Sequence, residues 1–114
     1  MTEIQPTELT QAQIAILQRL LTAGFQFVTI EHVVRYLPVE KDGFAALIDP
    51  SGGKLRIFGE AGLRMGEGIG MLVEASNGKK FVWKSQTVDA PQEMLEKFAR
   101  FKKELRAMVE ATTQ

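Results

Sequence analysis

"GLRMGEGIGMLV", residues 62–73, holds four of the ten glycines of the chain: Gly62, Gly66, Gly68 and Gly70. Such a run either cradles a phosphate at the start of a helix or marks turns and bulges in a sheet. The spacing decides against the first. A Walker loop needs Gly-Lys-Ser/Thr, but Gly53-Lys54 is followed by Leu55 and Gly78-Lys79 by Lys80. A dinucleotide fingerprint needs Gly-x-Gly-x-x-Gly between a strand and a helix. Counted from Gly66 and Gly68, the third glycine would stand at Met71; counted from Gly68 and Gly70, at Val73. The stretch therefore reads as sheet, with 59–68 a mobile inter-strand loop and Gly70 a packing position. A ligand reading survives for the segment from Gly59 to Gly70. There Gly62, Arg64, Gly66 and Gly68 could hold an anion on exposed backbone N–H groups.

Immediately after the glycines the chain forms a hairpin. "IGMLVEASNGKKFVWKS", residues 69–85, has Asn77-Gly78 at its tip, a strong short-range turn signal. A two-residue Asn77-Gly78 loop would set Val73 opposite Val82, Leu72 opposite Trp83 and Glu74 opposite Phe81. Gly70 would then lie diagonal to Trp83, under the indole. Both faces of this hairpin are apolar, one carrying Leu72, Phe81 and Trp83, the other Met71, Val73 and Val82. A half-exposed antiparallel strand alternates apolar with polar, so the hairpin is either covered on both sides or meets a partner.

Upstream, Asp42-Gly43 suits a type I′ loop, and Asp49-Pro50-Ser51-Gly52-Gly53 a longer turn. Pro38 has no N–H to give a ladder, which places its strand at an edge. "FQFVTIEHV", residues 25–33, fits a strand or a helical turn equally. Ile14, Ile16, Leu17, Leu20 and Leu21 make an amphipathic helix, capped by Thr10 with Gln13 or by Thr7, and closed by Gly24. Downstream, Asp89 is the expected N-cap of a second helix. Its Met94, Phe98, Phe101, Leu105 and Met108 recur at heptad spacing, widened by Leu95 and Val109. Runs of strands bounded by helices give an α+β fold: an antiparallel β-meander of four or five strands flanked by N-terminal and C-terminal helices. The expected elements of this single domain, 1–114, are helices at 8–23 and 90–110 and strands at 33–41, 44–49, 54–59, 69–76 and 79–86.

Lys plus Arg is 14 and Asp plus Glu is 14, so the charge cancels and no strongly basic nucleic-acid binder is indicated. There is no cysteine, which removes disulfides, thiolate metal sites and a cysteine nucleophile. The N-terminus has no signal-peptide pattern and no run suits a membrane span, so a cytoplasmic protein is expected. His32 is the only histidine. With Glu31 and Arg35 beside it, it suits a surface or packing role better than a general base. No serine lies in Gly-x-Ser-x-Gly. Neither catalytic residues, nor metal ligands, nor a cofactor are expected, and enzyme activity is the minority reading.

The favoured function is a non-enzymatic interaction or regulatory domain that self-associates as a homodimer, with a protein partner as a further option. Its expected interaction surface is drawn from Met71, Val73, Phe81, Trp83, Phe98 and Phe101. An alternative is a single-stranded nucleic-acid-binding module on the 79–84 hairpin, where Phe81 and Trp83 stand among Lys79, Lys80 and Lys84. Residues 61–88 carry only four basic groups against two acidic ones, a thin surplus for backbone binding. The third reading is the small-ligand or anion site of the 59–70 loop.

Overall fold

The computed structural model describes residues 9–30, 33, 35–51 and 55–110. Helix α1 (Gln11–Thr22) is followed by seven strands and then helix α2 (Gln92–Glu110). The strands are β1 (Gln26–Phe27), β2 (Leu37–Lys41), β3 (Phe44–Asp49), β4 (Arg56–Met65), β5 (Gly68–Ala75), β6 (Gly78–Trp83) and β7 (Gln86–Asp89). They form one antiparallel sheet in chain order. The α+β class and the flanking helices match the sequence reading; the strand number, seven, does not.

The extra strands come from two places. Residues 25–33, ambiguous in sequence, supply β1. The expected strand 79–86 is two strands, because Lys84 takes φ 55° and turns the chain back. β1 is short for a reason carried by Pro38. Val28 N–H donates to the Pro38 carbonyl at 3.0 Å, but Pro38 has no N–H to return, and the ladder stops. The strand of Pro38 is thus the second of the sheet and not the edge strand expected from the sequence; Pro38 is tolerated there because it stands just past the last residue pair of the β1 ladder.

The expected mobile loop 59–68 is also corrected. All of it lies within β4 and β5 except Gly66-Glu67, the turn between them. The period-two signal was hidden because β4 bends. Ala45 pairs with Gly62 and Leu47 with Phe58, so Gly59, Glu60 and Ala61 stand against Ala46 alone. Gly59 takes φ 69° at this bulge. The Asp42-Gly43 turn is as expected, with φ 57° and 87° at its two residues.

Helix α1 starts on the Thr10–Gln13 capping box. It ends with Gly24 at φ 100°; Phe25 N–H bonds to Leu20 carbonyl and Gly24 N–H to Leu21 carbonyl, a Schellman closure. Thr7 lies outside the described residues, as do Glu31, His32, Gly52 and Gly53. Asp89 is not the cap of α2: it ends β7 and its carboxylate pairs with Lys80 Nζ at 2.6 Å.

The core lies on one face of the sheet. Val39, Phe44, Ala46, Ile48, Met65 and Phe81 from the strands join Ile16 and Leu20 of α1 and Phe98, Phe101, Leu105 and Val109 of α2. The Phe44 and Phe81 rings stand 6.2 Å apart although two strands separate β3 from β6. Strands spaced about 4.8 Å apart in a flat sheet would put them roughly 14 Å apart, so the sheet curls around its core. Phe98 closes the curl, 5.2 Å from each of these two rings.

Candidate interaction surface

The hairpin of β5 and β6 has Ser76-Asn77 as its two-residue loop, and Gly78 takes φ 124° as the first residue of β6. The register is therefore two residues from the one expected for an Asn77-Gly78 loop. Met71 faces Val82, Leu72 faces Phe81, Val73 faces Lys80 and Glu74 faces Lys79. An even shift leaves each side chain on its expected face. Leu72 packs against the core and Phe81 is fully buried, so the helices cover their face. Met71 and Val73, on the other face, are 42% and 41% exposed.

The outer face is not bare throughout. Ile30 is buried, and with Val33 it lines a groove of about 260 Å³ together with the outward-facing Leu47 and Ile69. Arg64 fixes this crossing segment. Its Nη1 meets Glu40 Oε1 at 3.0 Å, its Nη2 the Thr29 carbonyl at 3.4 Å and its Nε the Gly66 carbonyl at 3.2 Å. The cover thus reaches Ile69 in β5 and leaves Met71 and Val73 open beyond it.

The remaining expected site residues divide between core and half-covered positions. Phe81, Phe98 and Phe101 are core rather than surface, at most 4% exposed. The heptad spacing of α2 serves packing on the sheet: its apolar stripe fills the trough of the curled meander alongside Ile16 and Leu20 of α1. Trp83 is half-buried. Its indole lies over Gly68 and Gly66: a Cβ at Gly68 would overlap Nε1 of the ring, and one at Gly66 would come within 3.2 Å. Gly70, assigned to the indole in sequence, instead makes room for the Met65 sulfur, as its own diagonal neighbour across β4 and β5. Gly62 admits the Gly70 carbonyl. All four glycines of the opening stretch are thus filled by the protein itself.

Electrostatics around the hairpin are mostly local. Lys80 is held by Asp89, Lys79 stands opposite Glu74, and Lys84 Nζ lies 4.7 Å from the Trp83 ring centre. At the other end of the sheet, Lys41 Nζ meets both Glu104 carboxylate oxygens, at 3.0 and 3.1 Å, tying β2 to α2. Asp49 is held below its usual carboxylate range. Its Oδ1 accepts the Ser51 N–H at 2.9 Å and Arg56 adds positive charge nearby, while partial burial opposes both. Among the described residues no three His, Asp or Glu side chains gather as metal ligands, and no helix is long and apolar enough to cross a membrane.

Three features escaped sequence reading. Arg64 as a clip depends on partners 24 and 35 residues away. Gln13 is buried and donates Nε2 to the Pro50 carbonyl at 2.7 Å, a second bond beyond its capping box. Tyr36 stacks on the exposed Phe58 at 4.1 Å, a pairing across the β2–β3–β4 region with no local signal. In comparison with known proteins, no family model matches the chain, and no curated protein and no solved structure matches it.

Proposed function

We propose that this chain is a non-enzymatic interaction domain that self-associates through the outer face of β5 and β6. One observation carries the reading: both helices and the aromatic core occupy the concave face, while Met71 and Val73 stay open on the convex one. Val82, opposite Met71, extends that surface. Adjacent exposed apolar side chains in a sheet, rather than scattered single ones, mark contact sites. A second copy of the chain is the occupant, joined by a two-fold axis, the commonest closed symmetry. The cytoplasmic setting expected from the sequence goes with it.

The competing readings draw less support. Stacking of bases would need Phe81 on the surface, and it is in the core. Anion capture by Arg64 would have to displace Glu40 and two carbonyl groups. Sedimentation velocity at tens of micromolar tests the proposal. Dimer mass is expected for the wild type. Monomer mass is expected for the double variant Met71→Lys, Val73→Glu, in which the introduced carboxylate would face Lys80 and keep the hairpin paired. A wild-type monomer across the whole concentration range overturns the reading.

A further inference from the structure

We infer that two copies join edge to edge through the outer half of β5, residues 71–75, which become antiparallel neighbours in a sheet continuous across the dimer. The inference rests on the self-association reading and gives it a geometry.

The argument is one of main-chain parity. Arg64 N–H donates to the Gly43 carbonyl at 2.8 Å, so the main-chain groups of Arg64 face β3. Along a strand the N–H and C=O of one residue share a side, and successive residues alternate. Leu63 and Met65 therefore face β5, and their partners Gly70 and Gly68 face β4. Two residues further on, Leu72 and Glu74 turn their main-chain groups to the same side. Met71, Val73 and Ala75 turn theirs to β6, where Val82, Lys80 and Gly78 stand opposite. But the ladder between β4 and β5 ends at Leu63 and Gly70. β4 bends away at its bulge, and among the described residues no strand pairs with β5 beyond Gly70 on that side. Leu72 and Glu74 thus present two N–H and two C=O groups along an edge about 16 Å long, at roughly 3.3 Å per residue.

A free edge is a template for another strand, and proteins guard such edges with lysine, proline or bulges. This one carries only Glu74. A second copy fits it with a two-fold axis through Val73. Leu72 of each copy then lies opposite Glu74 of the other, and four main-chain hydrogen bonds form. Val73 meets Val73 on the outer face, flanked on each side by Met71 against Ala75. The two Glu74 carboxylates are kept off each other, each opposite a Leu72. Both exposed side chains that mark the surface gain a cross-strand neighbour in this pairing, Val73 its own counterpart and Met71 the Ala75 of the other copy.

Amide hydrogen exchange of the wild-type protein, above and below the concentration at which it dimerises, tests the pairing. Leu72 and Glu74 amides are expected to be protected in the dimer and to lose that protection on dilution. Met71 and Val73 amides, bonded to β6, are expected to stay protected at both concentrations. The variant Glu74→Pro removes one edge N–H and leaves the β6 ladder intact, so it is expected to give a monomer with wild-type circular dichroism. A dimer in which Leu72 and Glu74 exchange equally at both concentrations, or a dimeric Glu74→Pro, overturns the edge pairing while the self-association reading stands. A wild-type protein that never dimerises overturns that reading itself.

Discussion

Gly68→Ala is a severe perturbation for a single methyl group. The added Cβ would overlap Nε1 of Trp83, with Cζ2 of the same ring at 2.7 Å. Carbon atoms in contact sit about 3.5–4.0 Å apart, so the flat, rigid indole has to leave its shelf or the turn at Gly66-Glu67 has to open. Overpacking of this kind costs about 1–3 kcal/mol. For a domain of this size each kcal/mol lowers Tm by about 4 °C, giving a fall of roughly 4–12 °C. Trp83 is the only tryptophan, so its fluorescence reports its own displacement, as a red-shifted emission in the folded variant. Urea unfolding supplies the free energy. A double-mutant cycle isolates the cause: in a Trp83→Leu background Gly68→Ala should cost much less, because the steric conflict is gone. Wild-type stability and emission for Gly68→Ala would refute the shelf. Equal costs in both backgrounds would show that the glycine acts through backbone freedom and not through room for the ring.

The other perturbations address contacts between elements. Gln13→Leu removes the bond to the Pro50 carbonyl and the capping bond to Thr10 N–H, leaving the carbonyl unpaired; urea unfolding should show a loss of about 1–3 kcal/mol, and no loss would refute the clasp. Arg64→Met keeps the apolar stem but frees the segment held at Thr29. It should cost about 1 kcal/mol, because the guanidinium is partly exposed, and should speed amide exchange around Val28 and Ile30, with unchanged rates counting against the clip. Asp49 has a lowered folded pKa, so its contribution is present above the unfolded value, near 3.9, and is lost as pH falls through the folded one. The stability gap between wild type and Asp49→Asn should therefore shrink below about pH 4, and a gap constant down to about pH 2 would contradict the Ser51 and Arg56 contacts.

What could be read in advance was whatever is local. The Asp42-Gly43 turn needs two positive φ angles, and the residues that accept them are adjacent in sequence. The Thr10–Gln13 box and the Gly24 closure lie within a helix and its caps. The stripe of α2 announced a buried face, but not whether a sheet or another helix would cover it. The errors share one origin, a change of period that only a distant partner explains. Gly59, Glu60 and Ala61 look like loop because their bulge breaks alternation, and the bulge exists only against Ala46 of β3. The loop of the β5–β6 hairpin lies one residue before the Asn77-Gly78 pair that the sequence suggests, because Gly78 serves a positive φ just after the turn as readily as within it.

The candidate surface was legible in half for a similar reason. Alternation assigned Met71, Val73 and Val82 to one face and Leu72, Phe81 and Trp83 to the other, and a register error of two residues cannot change that. Which face the helices would take is a matter of shape. The sheet curls because β4 bends, and the curl brings Phe44 and Phe81 together with room for Phe98 between them. Once that trough is concave, a helix on the convex side would find no cavity for Phe98 and Phe101, and the open edge of β5 arises from the same bend. The bulge at Gly59 thus sets both the core and the exposed strand. A variant that straightened β4 would be expected to close the edge at Leu72 and Glu74 and to expose the aromatic cluster at once.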